Sequence, residues 1–101
     1  MFARVARYKI PPSRFGEVIP TFQESVEALR DLEGHAGGYL ITDPENCTAL
    51  TLTLWESQQA LQNSEMRAAR LRGQAIDAVD GDTLSVETGE VALDFSQAAQ
   101  I

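Results

Sequence analysis

A chain of 101 residues is long enough for one domain with a modest core, and 44% hydrophobic against 23% charged residues sets it apart from disordered sequences. A formal charge of −7 with only eight basic residues argues against a nucleic-acid surface, which needs clustered Lys and Arg to release counterions. The single cysteine, Cys47, cannot form an internal disulfide, so nothing calls for an oxidising compartment.

The amino terminus, MFARVARYKI, is too mixed in charge for a signal peptide, and no apolar run approaches the ~18 residues of a membrane span. A cytoplasmic protein with no membrane partner is expected. Residues 2–10 read as a first strand, ended by Pro11-Pro12 because proline cannot donate to a sheet ladder. Its faces are Phe2, Arg4, Ala6, Tyr8, Ile10 and Ala3, Val5, Arg7, Lys9. Arginine thus falls on both faces of a strand that otherwise looks buried. Arg4 and Arg7 either snorkel to the rim or stand at a pocket wall facing an anionic or carbonyl-bearing ligand.

Ser13 is the expected N-cap of an amphipathic helix over 14–33, in which Phe15, Val18, Ile19, Phe22, Val26, Leu29 and Leu32 recur at spacings of three and four. Pro20 interrupts the pattern and predicts a kink or a restart. Gly34 is the expected C-cap. Gly37-Gly38 opens a second strand, 39–42, and Asp43-Pro44-Glu45-Asn46 is turn chemistry. An odd loop would place Tyr39 with Thr51 and Trp55; an even one would place it on the leucine face.

The third strand lies within CTALTLTLWES, Cys47 to Ser57. Leucines at 50, 52 and 54 alternate with Thr51, Thr53 and Trp55, and neither face is charged, so it is read as the centre of the sheet. Ser57 is the expected cap of a helix over 58–75 with a small-residue stripe of Leu61, Ser64, Ala68, Leu71 and Ala75. Arg67, Arg70 and Arg72 read as a solvated face. Asp80-Gly81-Asp82 marks a turn and lacks the spacing of a calcium loop, so no metal is expected. A last strand begins near Thr83, changes phase at Thr88-Gly89-Glu90, and is expected to run as one bent strand, or with an exchanged arm, to Phe95. Residues 1–95 are expected to form the domain and 96–101 a loose tail.

The order β-α-β-β-α-β is the split βαβ pattern of an α+β, ferredoxin-like fold, with both helices on one face of an antiparallel sheet. The other, uncharged face needs covering, and a homodimer packed sheet against sheet would cover it.

The run GGYLITDPENCTALTLTLWESQQAL, preceded by RFGEVIPTFQESVEALRDLEG, resembles the antibiotic biosynthesis monooxygenase family of dimeric α/β barrels over residues 2–95. The hairpin ending in WES-x-x-AL carries the most specific part. The family holds cofactor-independent oxygenases of aromatic polyketides and quinols, haem-degrading enzymes and members without assigned function. The resemblance implies a dimeric barrel and suggests a pocket between sheet and helices. Trp55 matches a tryptophan that lines the pocket in several members. Where some oxygenases place an asparagine shortly before it, this chain has Thr51 and Thr53. Where haem-degrading members place an axial histidine, it has Ser64, Glu65 and Met66.

His35, the only histidine, is expected in a loop, where it could exchange protons near neutral pH. Tyr8 and Tyr39 could donate to a ligand carbonyl. Cys47 has no basic neighbour in sequence to activate it. Two functions are carried forward. One is a cofactor-free oxygenase of a small aromatic or quinol, with Arg7, Tyr39 and His35 stabilising an oxyanion and Trp55, Thr51, Thr53 and Arg4 lining the substrate site. The other is a non-catalytic ligand-binding or interaction dimer, in which Thr51, Thr53 and Trp55 are packed and no cavity remains.

Overall fold

The structure, a computed structural model, describes residues 1–95, so the expected tail lies outside the described residues. Its elements are β1 (Phe2–Lys9), a 3-10 turn (Pro12–Glu17), α1 (Val18–Arg30), β2 (His35–Asp43), β3 (Thr48–Trp55), α2 (Gln58–Asn63), α3 (Glu65–Ala78) and β4 (Asp82–Glu90). The strands form one antiparallel sheet in the order β2-β3-β1-β4, which with the α-helical crossovers is the ferredoxin-like α+β arrangement. β3 is an interior strand, as its uncharged faces led us to expect. No helix among the described residues is long and apolar enough to cross a membrane.

Pro20 governs how the first helix begins. Residues 12–17 wind as a 3-10 turn, and the α-helix restarts at Val18, which puts Pro20 in its first turn, where a missing N–H has no intrahelical acceptor to forgo. Ser13 therefore caps nothing; it lies within the 3-10 turn, whose N-cap is Pro11. α1 ends at Arg30 rather than 33, and Gly34 serves the turn that follows, at φ +82°. Ser57 does cap α2, its Oγ accepting from the Ala60 N–H at 3.0 Å.

The predicted helix over 58–75 is two helices that meet at Ser64. The carbonyl of Leu61 accepts from the Ser64 hydroxyl at 2.7 Å and from Arg4 Nη2 at 3.0 Å. Side chains thus take an oxygen that a continuous helix would give to the residue-65 amide. The last strand also differs from expectation: it stops at Glu90, and its register shift falls opposite Arg7 and Tyr8, between Thr83 and Ser85, rather than at Gly89. Leu93 and Phe95 follow it as exposed, non-strand residues.

The turn over residues 44–47 holds an even number of residues, so Tyr39 pairs with Leu52 and Ile41 with Leu50. This parity sorts the sheet. Arg4, Ala6 and Tyr8 of β1 pair with Thr53, Thr51 and Ala49 of β3 on the helix-covered face. There Ala6, Tyr8, Ile10 and Ala49 pack with Val18 and Phe22 of α1 and Ala75, Ile76 and Val79 at the end of α3. A second cluster joins Trp55 to Leu29, Leu61 and Ala68. The opposite face carries Val5, Leu50, Leu52 and Leu54, only half-buried, with Tyr39 and Ile41 exposed.

Gly34, like Gly38 whose added Cβ would stand 2.3 Å from the Leu52 carbonyl oxygen, is a position where the backbone tolerates no side chain. Its φ lies in the left-handed region, and an added Cβ would stand 2.3 Å from the Cβ of Ala60 in α2. Gly34→Ala is expected to destabilise the fold by more than about 1 kcal/mol. Gly89→Ala, where nothing lies within 4 Å, is expected to change little. Equal unfolding midpoints for the two variants would contradict this placement.

Candidate functional site

Between the helix-covered face of the sheet and α1 and α3 lies a cleft of about 320 Å³. Its floor is Tyr8 of β1 with Thr51 and Thr53 of β3; Phe22 and Leu29 of α1 and Ala68 and Leu71 of α3 form the walls. Ile19, Gln23, Glu27 and Arg30, all exposed, stand at its mouth.

Period-2 alternation aims the polar floor. Tyr8 is buried, its hydroxyl hydrogen-bonded to Thr51 Oγ1 at 2.9 Å and its ring edge-on to Phe22 at 5.1 Å between centroids. Burial pushes the Tyr8 phenol above its ordinary value of 10.0, and the Thr51 hydrogen bond and the nearby Arg72 charge pull against that rise. Arg4 is 3% exposed; its Nη2 donates to Leu61 O, Ser64 Oγ and Glu65 Oε2, the last at 2.8 Å. Its Nε and Nη1 are buried without an acceptor.

Of the residues expected at a site, the structure brings Arg4, His35, Thr51 and Thr53 to the cleft. His35 lies in β2 rather than in a loop, paired with Trp55 across the β2–β3 ladder, because β2 begins four residues earlier than its sequence suggests. Trp55 is wholly buried behind the cleft. Its Nε1 donates to Thr53 Oγ1 at 3.0 Å, the His35 ring meets it edge-on at 5.3 Å, and the Arg4 guanidinium carbon stands 5.8 Å from its ring centre. Trp55 therefore supports three cleft residues, Thr53, His35 and Arg4, without lining the cleft. Arg7 alternates to the other face of β1, opposite Leu50, and is exposed. Tyr39 also shares that face, so only its main chain borders the cleft.

Arg72, grouped in the sequence with a solvated face, instead lines the cleft. Its signal was positional: it lies four residues after Ala68 and three before Ala75, on the small-residue stripe of α3. Among the described residues no group of three or more His, Cys, Asp or Glu side chains could hold a metal ion.

Comparison with known proteins places this geometry. Residues 1–75 match the family described as antibiotic biosynthesis monooxygenase. No curated protein matches at a significant level. Among solved structures, a candidate antibiotic biosynthesis monooxygenase of Deinococcus radiodurans superposes with a TM-score of 0.76 at 11% identity, over 93% of this chain and 95% of that one. SnoaB, a cofactor-independent oxygenase from Streptomyces nogalater, gives 0.71 at 11% identity over 95% and 97%. The heme-degrader MhuD of Mycobacterium tuberculosis gives 0.72 at 22% identity over 93% and 98%. At these identities the likeness is one of fold.

Burial first, and the Arg30 charge second, hold the His35 imidazole below its ordinary value of 6.5. The neutral ring is the form the fold favours, so its stabilisation is present above pH 6.5 and is lost as pH falls through the folded-state value. Because the chain has one histidine, a proton NMR titration reads it without overlap. The expected midpoint is below 6.5, and one at or above 6.5 would contradict the half-buried placement beside Arg30.

Proposed function

The chain belongs to the antibiotic biosynthesis monooxygenase family, and from that premise we propose that it is a cofactor-independent oxygenase of a small aromatic or quinol substrate bound in the cleft between sheet and helices. The observation that carries the reading is a cleft of about 320 Å³ in which the Tyr8, Thr51 and Thr53 hydroxyls and the Arg4 and Arg72 side chains stand among apolar Phe22, Leu29 and Leu71. A packed, non-catalytic dimer would have filled that space.

The chemistry asks little beyond positioning. A phenolic or enolic substrate loses a proton to the neutral His35 imidazole, leaving an oxyanion in the cleft. The Tyr8–Thr51 pair offers a hydroxyl to the same oxygen. The electron-rich carbon then transfers an electron to dioxygen, the two join as a hydroperoxide, and loss of water leaves a ketone or quinone oxygen on that carbon. One oxygen atom of dioxygen enters the product and the other leaves as water, so no added reductant is needed. Phe22, Leu29 and Leu71 keep competing water away from the carbanion.

On the α3 side of the cleft no lining side chain, of Ala68, Leu71 or Arg72, can hold a haem iron.

Two features support a homodimer through the open sheet face: Leu50, Leu52 and Leu54 lie there half-buried, and Tyr39 and Ile41 are 68% and 54% exposed beside them. Leu52→Glu is expected to convert a dimer to a monomer by light scattering; a monomeric parent protein would contradict the assembly.

Oxygen uptake with a panel of anthrones and hydroquinones tests the chemistry. Turnover is expected, with Tyr8→Phe and Thr51→Val lowering kcat/KM by about tenfold or more. Binding without oxygen uptake would instead identify a ligand-binding member of the same fold.

A further inference from the structure

The charge of the cleft runs against the charge of the chain. Fifteen acidic residues outnumber eight basic ones overall, yet Arg4, Arg30 and Arg72 line the cleft against one carboxylate, Glu27. Arg4 shows that this inversion is built into the wall. Its guanidinium is 3% exposed, and Nη2 alone carries its hydrogen bonds, to Leu61 O, Ser64 Oγ and Glu65 Oε2. Nε and Nη1 are buried with no acceptor. A buried guanidinium with two unsatisfied nitrogens is costly to hold. Glu65, its carboxylate partner, is 54% exposed and so offsets little of that cost. Anionic oxygen would supply the acceptors that are missing, and a guanidinium fork suits a carboxylate.

Arg72 adds a second charge from α3, near enough to the buried Tyr8 hydroxyl to favour negative charge there. Phe22, Leu29, Leu40 and Leu71 supply apolar lining beside the polar Gln23, Ser25, Thr51 and Thr53, and a volume of about 320 Å³ is at the small end for ligand sites. We propose that the cleft selects an amphiphilic organic anion, a compact aromatic ring system bearing a carboxylate, with the carboxylate between Arg4 and Arg72 and the rings against Phe22, Leu40 and Leu71. This rests on reading the cleft as the substrate site and adds the class of substrate it takes.

Isothermal titration calorimetry with naphthoate and with its neutral methyl ester tests the inference. Naphthoate is expected to bind tighter than the ester by about tenfold or more, with an advantage that shrinks as salt is raised. Arg72→Gln is expected to remove most of that advantage. Arg67→Gln makes the same charge change at an exposed position of α3 outside the cleft and is expected to leave it intact. Arg4→Gln should weaken naphthoate more than the ester; if that variant fails to fold, the Arg72 and salt comparisons still decide. Equal binding of acid and ester, binding of neither, or equal effects of Arg67→Gln and Arg72→Gln would overturn the proposal. Naphthoate binding without oxygen uptake from any substrate would uphold it while removing the oxygenase reading. Turnover of neutral quinols with no preference for the carboxylate would do the reverse.

Discussion

The Arg4 guanidinium sits on an interior strand, under the helices, with nearly all of its surface out of water. Such a charge persists only where oxygen atoms are brought to it, and the local structure supplies them. The Leu61 carbonyl turns to it, the Ser64 hydroxyl joins it, and the helix that would otherwise run unbroken divides at Ser64. Trp55 lies beneath the same cation, and His35 lies edge-on against Trp55. One buried charge thus fixes a helix junction, the packing of the largest aromatic and one wall of the cleft.

The alternation of β1 and β3 was legible in the sequence because side-chain direction in a strand has a strict period of two. From it comes the central place of β3; the pairing of Arg4 with Thr53, and the choice of the leucine face as the one the helices leave open, are set by the β1–β3 register and the side on which the helices pack. The hairpin parity was not legible, since it depends on how many residues the turn uses. That count decided Tyr39, which pairs with Leu52 and shares the leucine face. His35 moved from an expected loop into β2 because a bulge at Gly37, with φ +130°, lets the ladder continue past the Gly-Gly pair. Arg7 was expected at a site, and its place on the uncovered face follows from which side the helices pack. The α2–α3 break depends on Arg4, sixty residues from Ser64, a distance over which local patterns carry no signal.

The cleft joins these constraints to function. Its floor is made by strand positions whose side chains must face the helices, and its mouth by the exposed side of α1. Because Tyr8 and Thr51 satisfy one another, the floor keeps its hydroxyls without water. Because Arg4 remains partly unsatisfied, the wall keeps a demand for negative oxygen. The acidic chain thus keeps Arg4, Arg30 and Arg72 together around one cleft.

The most direct test is a crystal structure of the protein grown with an aromatic ligand and read for where the rings lie. The account predicts rings between α1 and α3, against Phe22 and Leu71, with the ligand oxygen toward Arg4 and Tyr8. Rings seated on the open sheet face against Leu52, with the cleft collapsed, would contradict it.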